Sequence, residues 1–169
     1  MKQKKGFPPI AEETATVLNL GSMPGEESLR KSEYYGNPRN SFWKIMASLF
    51  AFDSLAKYEE RARILLENKI ALWDVMRSCE RKGSLDAGIN NETIIENDFA
   101  SFFHIYPNIM NVFFNGAKAK KEYLNRVLPK LSETTRKINY YRLPSTSPAM
   151  TRLSLNAKIL AWSKIKTKT

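Results

Sequence analysis

Thr16-Val17-Leu18-Asn19-Leu20-Gly21-Ser22-Met23-Pro24-Gly25 is the stretch around which the rest of the chain can be ordered. A short β-rich run stops at glycine, serine and proline, which predicts a buried strand followed by a tight loop. Glycines after a strand let the backbone approach a ligand closely and let its N–H groups face an anion. The loop has neither the Gly-Lys-Ser/Thr of a nucleotide P-loop nor Rossmann spacing, so an ordinary turn is an equally good reading of these residues alone.

Moving outward, the same unit recurs. Apolar residues Phe42, Ile45, Met46 and Leu49 have helical spacing within Asn40 to Ala51, after Pro38. Tyr58 to Asn68 reads as a second helix, with charges on one side and Ala62, Leu65 and Leu66 on the other. Lys69 to Trp73 reads as a second strand with Asp74 at its end. Arg77 to Asn91 is polar and rich in Gly, Ser and Asn, and is expected to be a long surface loop. A short helix follows from Asn97-Asp98 to about Tyr106, then a third strand over Ile109 to Phe114 ending at Asn115-Gly116. Ala117 to Val127 reads as helix, Ile138 to Leu143 as a fourth strand, and Ala149 to Lys164 as the last helix. Alternating strands and helices predict an α/β fold with a parallel sheet covered by helices on both faces. Ligands of such sheets bind beyond the carboxyl ends of the strands, where Gly21–Gly25, Asp74, Asn115-Gly116 and Ser145–Pro148 all fall.

Composition narrows the partners. The 169 residues suit one domain, and 43% hydrophobic with 26% charged residues is the balance of a soluble globular protein. Residues 1–14 and 165–169 are expected to be flexible. A formal charge of +10, from 27 Lys+Arg against 17 Asp+Glu, favours a polyanion, nucleic acid first. Six lysines lie in the terminal runs Met1–Lys5 and Lys164–Thr169, but the body stays positive without them. Cys79 is the only cysteine, which excludes an internal disulfide and Cys-rich zinc or iron–sulfur sites. His104 is the only histidine and sits in Phe102-Phe103-His104-Ile105-Tyr106, a setting that reads as packing rather than catalysis. No leader-like segment or apolar run of about 18 residues is present, so a soluble intracellular (cytoplasmic) protein, not membrane-bound, is expected.

Three further segments carry candidate chemistry. Tyr34-Tyr35-Gly36-Asn37-Pro38-Arg39-Asn40 combines aromatic rings with a basic residue, which suits stacking on a nucleobase. Asn40 stands at a helix start, where an N-cap is its simplest role. Ser145-Thr146-Ser147-Pro148 places three hydroxyls at a strand-to-helix turn, able to grip phosphate or to cap the helix. Ala149 or Met150 at that loop tip could press into a duplex. Asn115 at a strand end can offer donor and acceptor to a base edge, or serve as a turn residue before Gly116.

In order, Gly21–Gly25 with Ser28-Leu29, Tyr34-Tyr35, Asn37–Asn40 and Phe42-Trp43, then Leu72–Val75, then Phe114–Gly116 with Lys118, then Leu143–Ala149, resemble the deoxyinosine (hypoxanthine) DNA glycosylases of the uracil-DNA glycosylase superfamily. The resemblance covers about residues 15 to 163. It implies a three-layer α/β/α fold whose four-stranded parallel sheet has the order 2-1-3-4, an order that periodicity does not supply. By position it implies that Gly21, Ser22, Met23, Pro24 and Gly25 line the base pocket, that Tyr35 stacks on a flipped base, and that Asn115 contacts it. It also implies that Ser145, Thr146, Ser147, Pro148, Ala149 and Met150 bind the DNA backbone and wedge into the helix. Many relatives carry a catalytic Asn or Asp in the first loop. Here Met23 stands there and can neither bind nor activate water. The deoxyinosine branch shares that lack and uses an Asn of the Asn-Pro-Arg-Asn stretch, which implies Asn40, with the helix-cap role as rival.

Asp74 is a candidate for supporting the developing positive charge on the sugar, or for capping a turn. No metal and no cofactor are expected, and no lysine presents itself as a Schiff-base nucleophile, so the expected enzyme is monofunctional. The expected partner is DNA containing a damaged base, bound by a monomer. A mismatch-specific uracil enzyme, or a non-catalytic nucleic-acid-binding module on the same scaffold, are the alternatives.

Overall fold

The computed structural model describes residues 2–133 and 135–169; Met1 of the basic N-terminal run lies outside the described residues. In chain order the strands are β1 (Lys2–Lys5), β2 (Val17–Gly21), β3 (Ile70–Asp74), β4 (Met76–Arg81), β5 (Ile95–Glu96), β6 (Asn111–Asn115) and β7 (Asn139–Leu143). The α-helices are α1 (Glu26–Lys31), α2 (Phe42–Phe50), α3 (Tyr58–Glu67), α4 (Phe99–Ile105), α5 (Ala117–Glu122) and α6 (Leu155–Trp162).

β3, β2, β6 and β7 form a four-stranded, all-parallel sheet in that order. Counting these four along the chain gives 2-1-3-4, and helices flank the sheet to complete a three-layer α/β fold. Every residue of β2 and β3 is buried, as expected of strands covered on both faces. α2 and α6 pack together, with Phe42 edge-on to Trp162 at 5.8 Å between ring centroids. α4 joins the extension of α5 through Phe99 on Tyr123 at 5.2 Å. The register sets up the site. Gly21 lies opposite Asp74, Leu20 opposite Phe114, and Asn115 opposite Leu143, so the strand ends finish side by side along one edge.

The segment expected to be a surface loop, Arg77 to Asn91, instead begins as a strand. β4 continues almost directly from β3 and pairs antiparallel with β1 and β5 in a second, three-stranded sheet. Met76 and Cys79 turn inward to join Met23, Ile89 and Ile94 in a small separate core. A register irregularity between Met76 and Ser78 breaks the two-residue alternation that would have marked this strand in the sequence.

The termini are also engaged rather than free. β1 pairs along β4, Ile10 bridges Leu72, and the Phe7 and Pro8 carbonyls accept from Trp73 Nε1 (3.1 Å) and the Tyr34 hydroxyl (2.9 Å). Ile165 is fully buried in the main core, so the end of the chain is packed where its lysines suggested a flexible tail. The last helix starts at Leu155, not Ala149, because Ser154 caps it by accepting from Ala157 N at 3.1 Å. Residues 149–154 are thereby left in the loop.

Candidate active site

A cavity of about 790 Å³ opens at the carboxyl edge of the parallel sheet. The four segments singled out from the sequence, 21–25, the Tyr34–Asn40 stretch, Asn115 and 145–150, all reach it, and so does the strand end Asp74. Residues 84–87, from the segment after β4, form a further wall that the motifs did not indicate.

Asp74 is 4% exposed, and its Oδ2 has no hydrogen-bond partner among the described residues. Only glycine fits opposite it: a Cβ on Gly21 would overlap the Asp74 carboxylate and crowd the Tyr35 hydroxyl. Burial, reinforced by the negative charge of Asp86 and partly offset by Arg81, pushes the Asp74 carboxyl up to about 7. A buried carboxylate without a partner is costly, and such groups concentrate where chemistry needs them. Tyr35 stands beside it with a positive φ of 55°, a conformation held by its packing. Its ring stacks on Phe42 at 3.9 Å, and its hydroxyl accepts from Asn19 Nδ2 at 3.1 Å. Burial and the Asp74 charge keep that hydroxyl protonated. Its neighbour Tyr34 is a core residue, 3% exposed.

Asn40 is half-buried at the cavity wall, just ahead of α2. Its Oδ1 accepts from Phe42 N at 2.9 Å, so it does brace the helix start. Ser41, the formal N-cap, makes no capping bond; its N–H and hydroxyl both donate to the Thr146 carbonyl, at 3.0 and 3.2 Å. The Asn40 amide is therefore held in one orientation, and among the described residues a second Oδ1 lone pair and both Nδ2 hydrogens are still unused.

Thr146 is the hub of the site. It is 1% exposed, its hydroxyl accepts from Asn115 Nδ2 at 2.8 Å, and its N–H donates to Asn115 Oδ1 at 2.9 Å. Asn115 thus spends one donor and its acceptor on tying β6 to the hydroxyl loop. Ser145 and Ser147 accept from the backbone N–H groups of Ser147 and Ala149, at 3.2 and 3.3 Å, which leaves their own hydrogens to donate outward. Pro148 and Ala149 are exposed at the tip, and Lys158 Nζ braces the loop from behind through the Met150 carbonyl at 2.9 Å.

Arg81 is the residue that sequence reasoning missed. It is 2% exposed, and its guanidinium donates to the carbonyls of Gly83 (2.9 Å), Met23 (3.4 Å) and Pro24. It clamps the first loop against the segment after β4. Ser22 Oγ on Asp86 Oδ1 (2.6 Å) and Glu26 N on Ser84 Oγ (3.0 Å) join the same two pieces. Only a polar run containing Arg81-Lys82-Gly83 stood in the sequence, and nothing in it distinguishes a buried arginine from an exposed one. Arg81→Met is expected to cost about 2–4 kcal/mol and to lower Tm by roughly 5–15 °C, because it strands two buried carbonyls, those of Met23 and Pro24. A thermal melt that does not move would show that the clamp carries no load.

A family model described as the uracil DNA glycosylase superfamily matches residues 8–166. A hypoxanthine DNA glycosylase of Methanosarcina barkeri (strain Fusaro / DSM 804) is 42% identical over 118 residues, covering 69% of this chain and 73% of the relative. A hypoxanthine DNA glycosylase of Methanosarcina acetivorans is 37% identical over 149 residues, covering 82% and 92%. A solution NMR structure from the same organism, described as a candidate uracil DNA glycosylase, superposes with a TM-score of 0.80 at 35% identity over 98% of this chain and 97% of that one. No helix among the described residues is long and apolar enough to cross a membrane. The chain belongs to the uracil DNA glycosylase superfamily.

Proposed function

We propose that this protein is a monofunctional DNA glycosylase, acting as a monomer, that flips a deaminated base out of DNA and hydrolyses its N-glycosidic bond, with hypoxanthine as the preferred base. The observation that carries the reading is the convergence of segments distant in the chain on one cavity, in a chain whose relatives are named hypoxanthine DNA glycosylases.

Inside a duplex the target bond is shielded, and extruding the nucleotide takes a few kcal/mol. Ser145 and Ser147 have hydroxyl hydrogens free to hold phosphates, while Ala149 and Met150 fill the vacated stack. The extruded ring enters beside Tyr35, whose far side is backed by Phe42. As the bond breaks, negative charge grows on the base and positive charge on the sugar. Asn40 orients the attacking water through its free lone pair and Nδ2. An amide takes up no proton near neutrality, so bond breaking leads and water follows. The depth of Asp74 supports a role beside the base: as a neutral acid it would donate to the leaving ring, a preorganised donor in a dry site.

Incubation with inosine- and uracil-bearing oligonucleotides in parallel, followed by alkaline cleavage of abasic sites, tests the reading. Cleavage at inosine well above uracil is expected. Cleavage at uracil alone would transfer the substrate to uracil, the second reading, which the name of the NMR neighbour favours. No cleavage with tight binding would leave a binding module. Contact with about five phosphates should give a log–log salt slope of affinity near −4 to −5, and a flat slope would contradict any backbone-gripping mode.

A further inference from the structure

We propose that the 82–88 loop is a second DNA-contacting jaw, with Leu85 as its apolar tip pressing on the bases that flank the extruded nucleotide. The proposal rests on the glycosylase reading above and adds to it a contact surface outside the four motifs.

The loop is built to hold its shape. Lys82 N donates to Gly88 O and Gly88 N donates to Leu85 O, both at 3.0 Å, which closes the turn at its base. A Cβ on Gly88 would collide with the Lys82 carbonyl, so only glycine permits that closure. Arg81 fixes the turn from inside through Gly83 O, and Asp86 and Ser84 fix it laterally to Ser22 and Glu26. Yet the side chain at its tip, Leu85, is 54% exposed. Single exposed leucines are common and need no explanation by themselves. Position makes this one different: Leu85 also lines the cavity, together with Asp86 and Ala87.

Topology puts this loop opposite the wedge loop. The 82–88 turn hangs from β4, next to β3 at one edge of the parallel sheet, while 145–152 follows β7 at the other edge. The cavity lies between them. Exposed cations stand on both rims, Lys82 on the first and Arg39 and Arg152 on the second. An apolar tip on a braced loop, with the cation Lys82 at the loop's base and the neighbouring Asp86 carboxylate engaged by Ser22, matches a stacked base edge beside a phosphate. Two rims acting on one duplex would unstack both neighbours of the target, where a single wedge can support only the vacated position.

The test places 2-aminopurine next to inosine in a paired duplex, and reads its fluorescence on binding alongside single-turnover release. Release is compared between the paired duplex and a bubble in which the inosine is already unstacked. Leu85→Ala should lose most of the fluorescence rise, and its paired-to-bubble rate ratio should fall about tenfold, equivalent to about 1.4 kcal/mol of unstacking work. Leu85→Met should restore both. Ile105→Ala removes an equally exposed apolar side chain at the C-terminal end of α4, which leads into the amino edge of the sheet, and should leave both readouts at wild-type values. Wild-type behaviour of Leu85→Ala, or an equal loss on paired and bubble substrates, overturns the proposal. If the unmodified protein releases no hypoxanthine at all, it is the functional reading that fails, and the fluorescence comparison still decides whether Leu85 touches the stack.

Discussion

Asn40→Ala is expected to lower turnover on inosine-containing DNA by about 10²–10³-fold while shifting DNA affinity no more than a few-fold, the size seen when one preorganised transition-state contact is deleted. The ground-state grip comes from backbone contacts elsewhere, so binding survives while the water loses its guide. The same residue also braces α2 through Phe42 N, and loss of such a cap costs about 0.5–2 kcal/mol. A drop in activity could therefore come from unfolding. Asn40→Asp separates the two. Asp keeps the acceptor for Phe42 N and places a negative charge at a helix start, so Tm should hold. It removes the Nδ2 donor, so turnover should stay well below that of the parent. If Ala lowers Tm and the rate per folded molecule is unchanged, Asn40 is a cap and nothing more.

How far the site could be read in advance depended on what kind of interaction made it. β2 and β3 announce themselves as continuous apolar runs because both faces are buried, and their ends at Gly21 and Asp74 are abrupt. Periodicity decides which face of a strand is covered but not which strand lies beside it, so the sheet order came through family resemblance. β4 was hidden because its inward set ends in Arg81, a charged residue in a core position. Its burial depends on carbonyls from a loop 57 residues away, and no local pattern records that. Asn115 and Thr146 were legible as polar residues at strand ends. Their mutual pairing was not, because it depends on β6 and β7 lying side by side. Asp74 was visible as a carboxylate in the right place. Its lack of a partner is a property of the folded site alone.

That isolation gives the second large effect. In the unfolded chain the Asp74 carboxyl releases its proton near 3.8, whereas in the folded protein it does so only at about 7. Below pH 3.8 it is protonated in both states and contributes nothing. Between 3.8 and 7 the native state retains a proton that the unfolded state has lost, so stability falls as pH rises. Above 7 the full penalty is present, about 4 kcal/mol at 1.36 kcal/mol for each tenfold change in proton affinity. Asp74→Asn keeps the shape and removes the charge. It should therefore be more stable than the parent by about 2–4 kcal/mol at pH 8, with the difference shrinking to about 0.5 kcal/mol by pH 4. Denaturant titrations at those two pH values measure this directly. Glycosylase activity should move the other way. If neutral Asp74 donates to the leaving base, the parent's rate falls as pH rises through about 7, and the Asn variant is slower and flat across that range. A rate that climbs through 7 would instead assign the ionised form to the cationic sugar. A variant that gains stability and keeps full activity would remove Asp74 from the chemistry, and leave its buried charge without a reason.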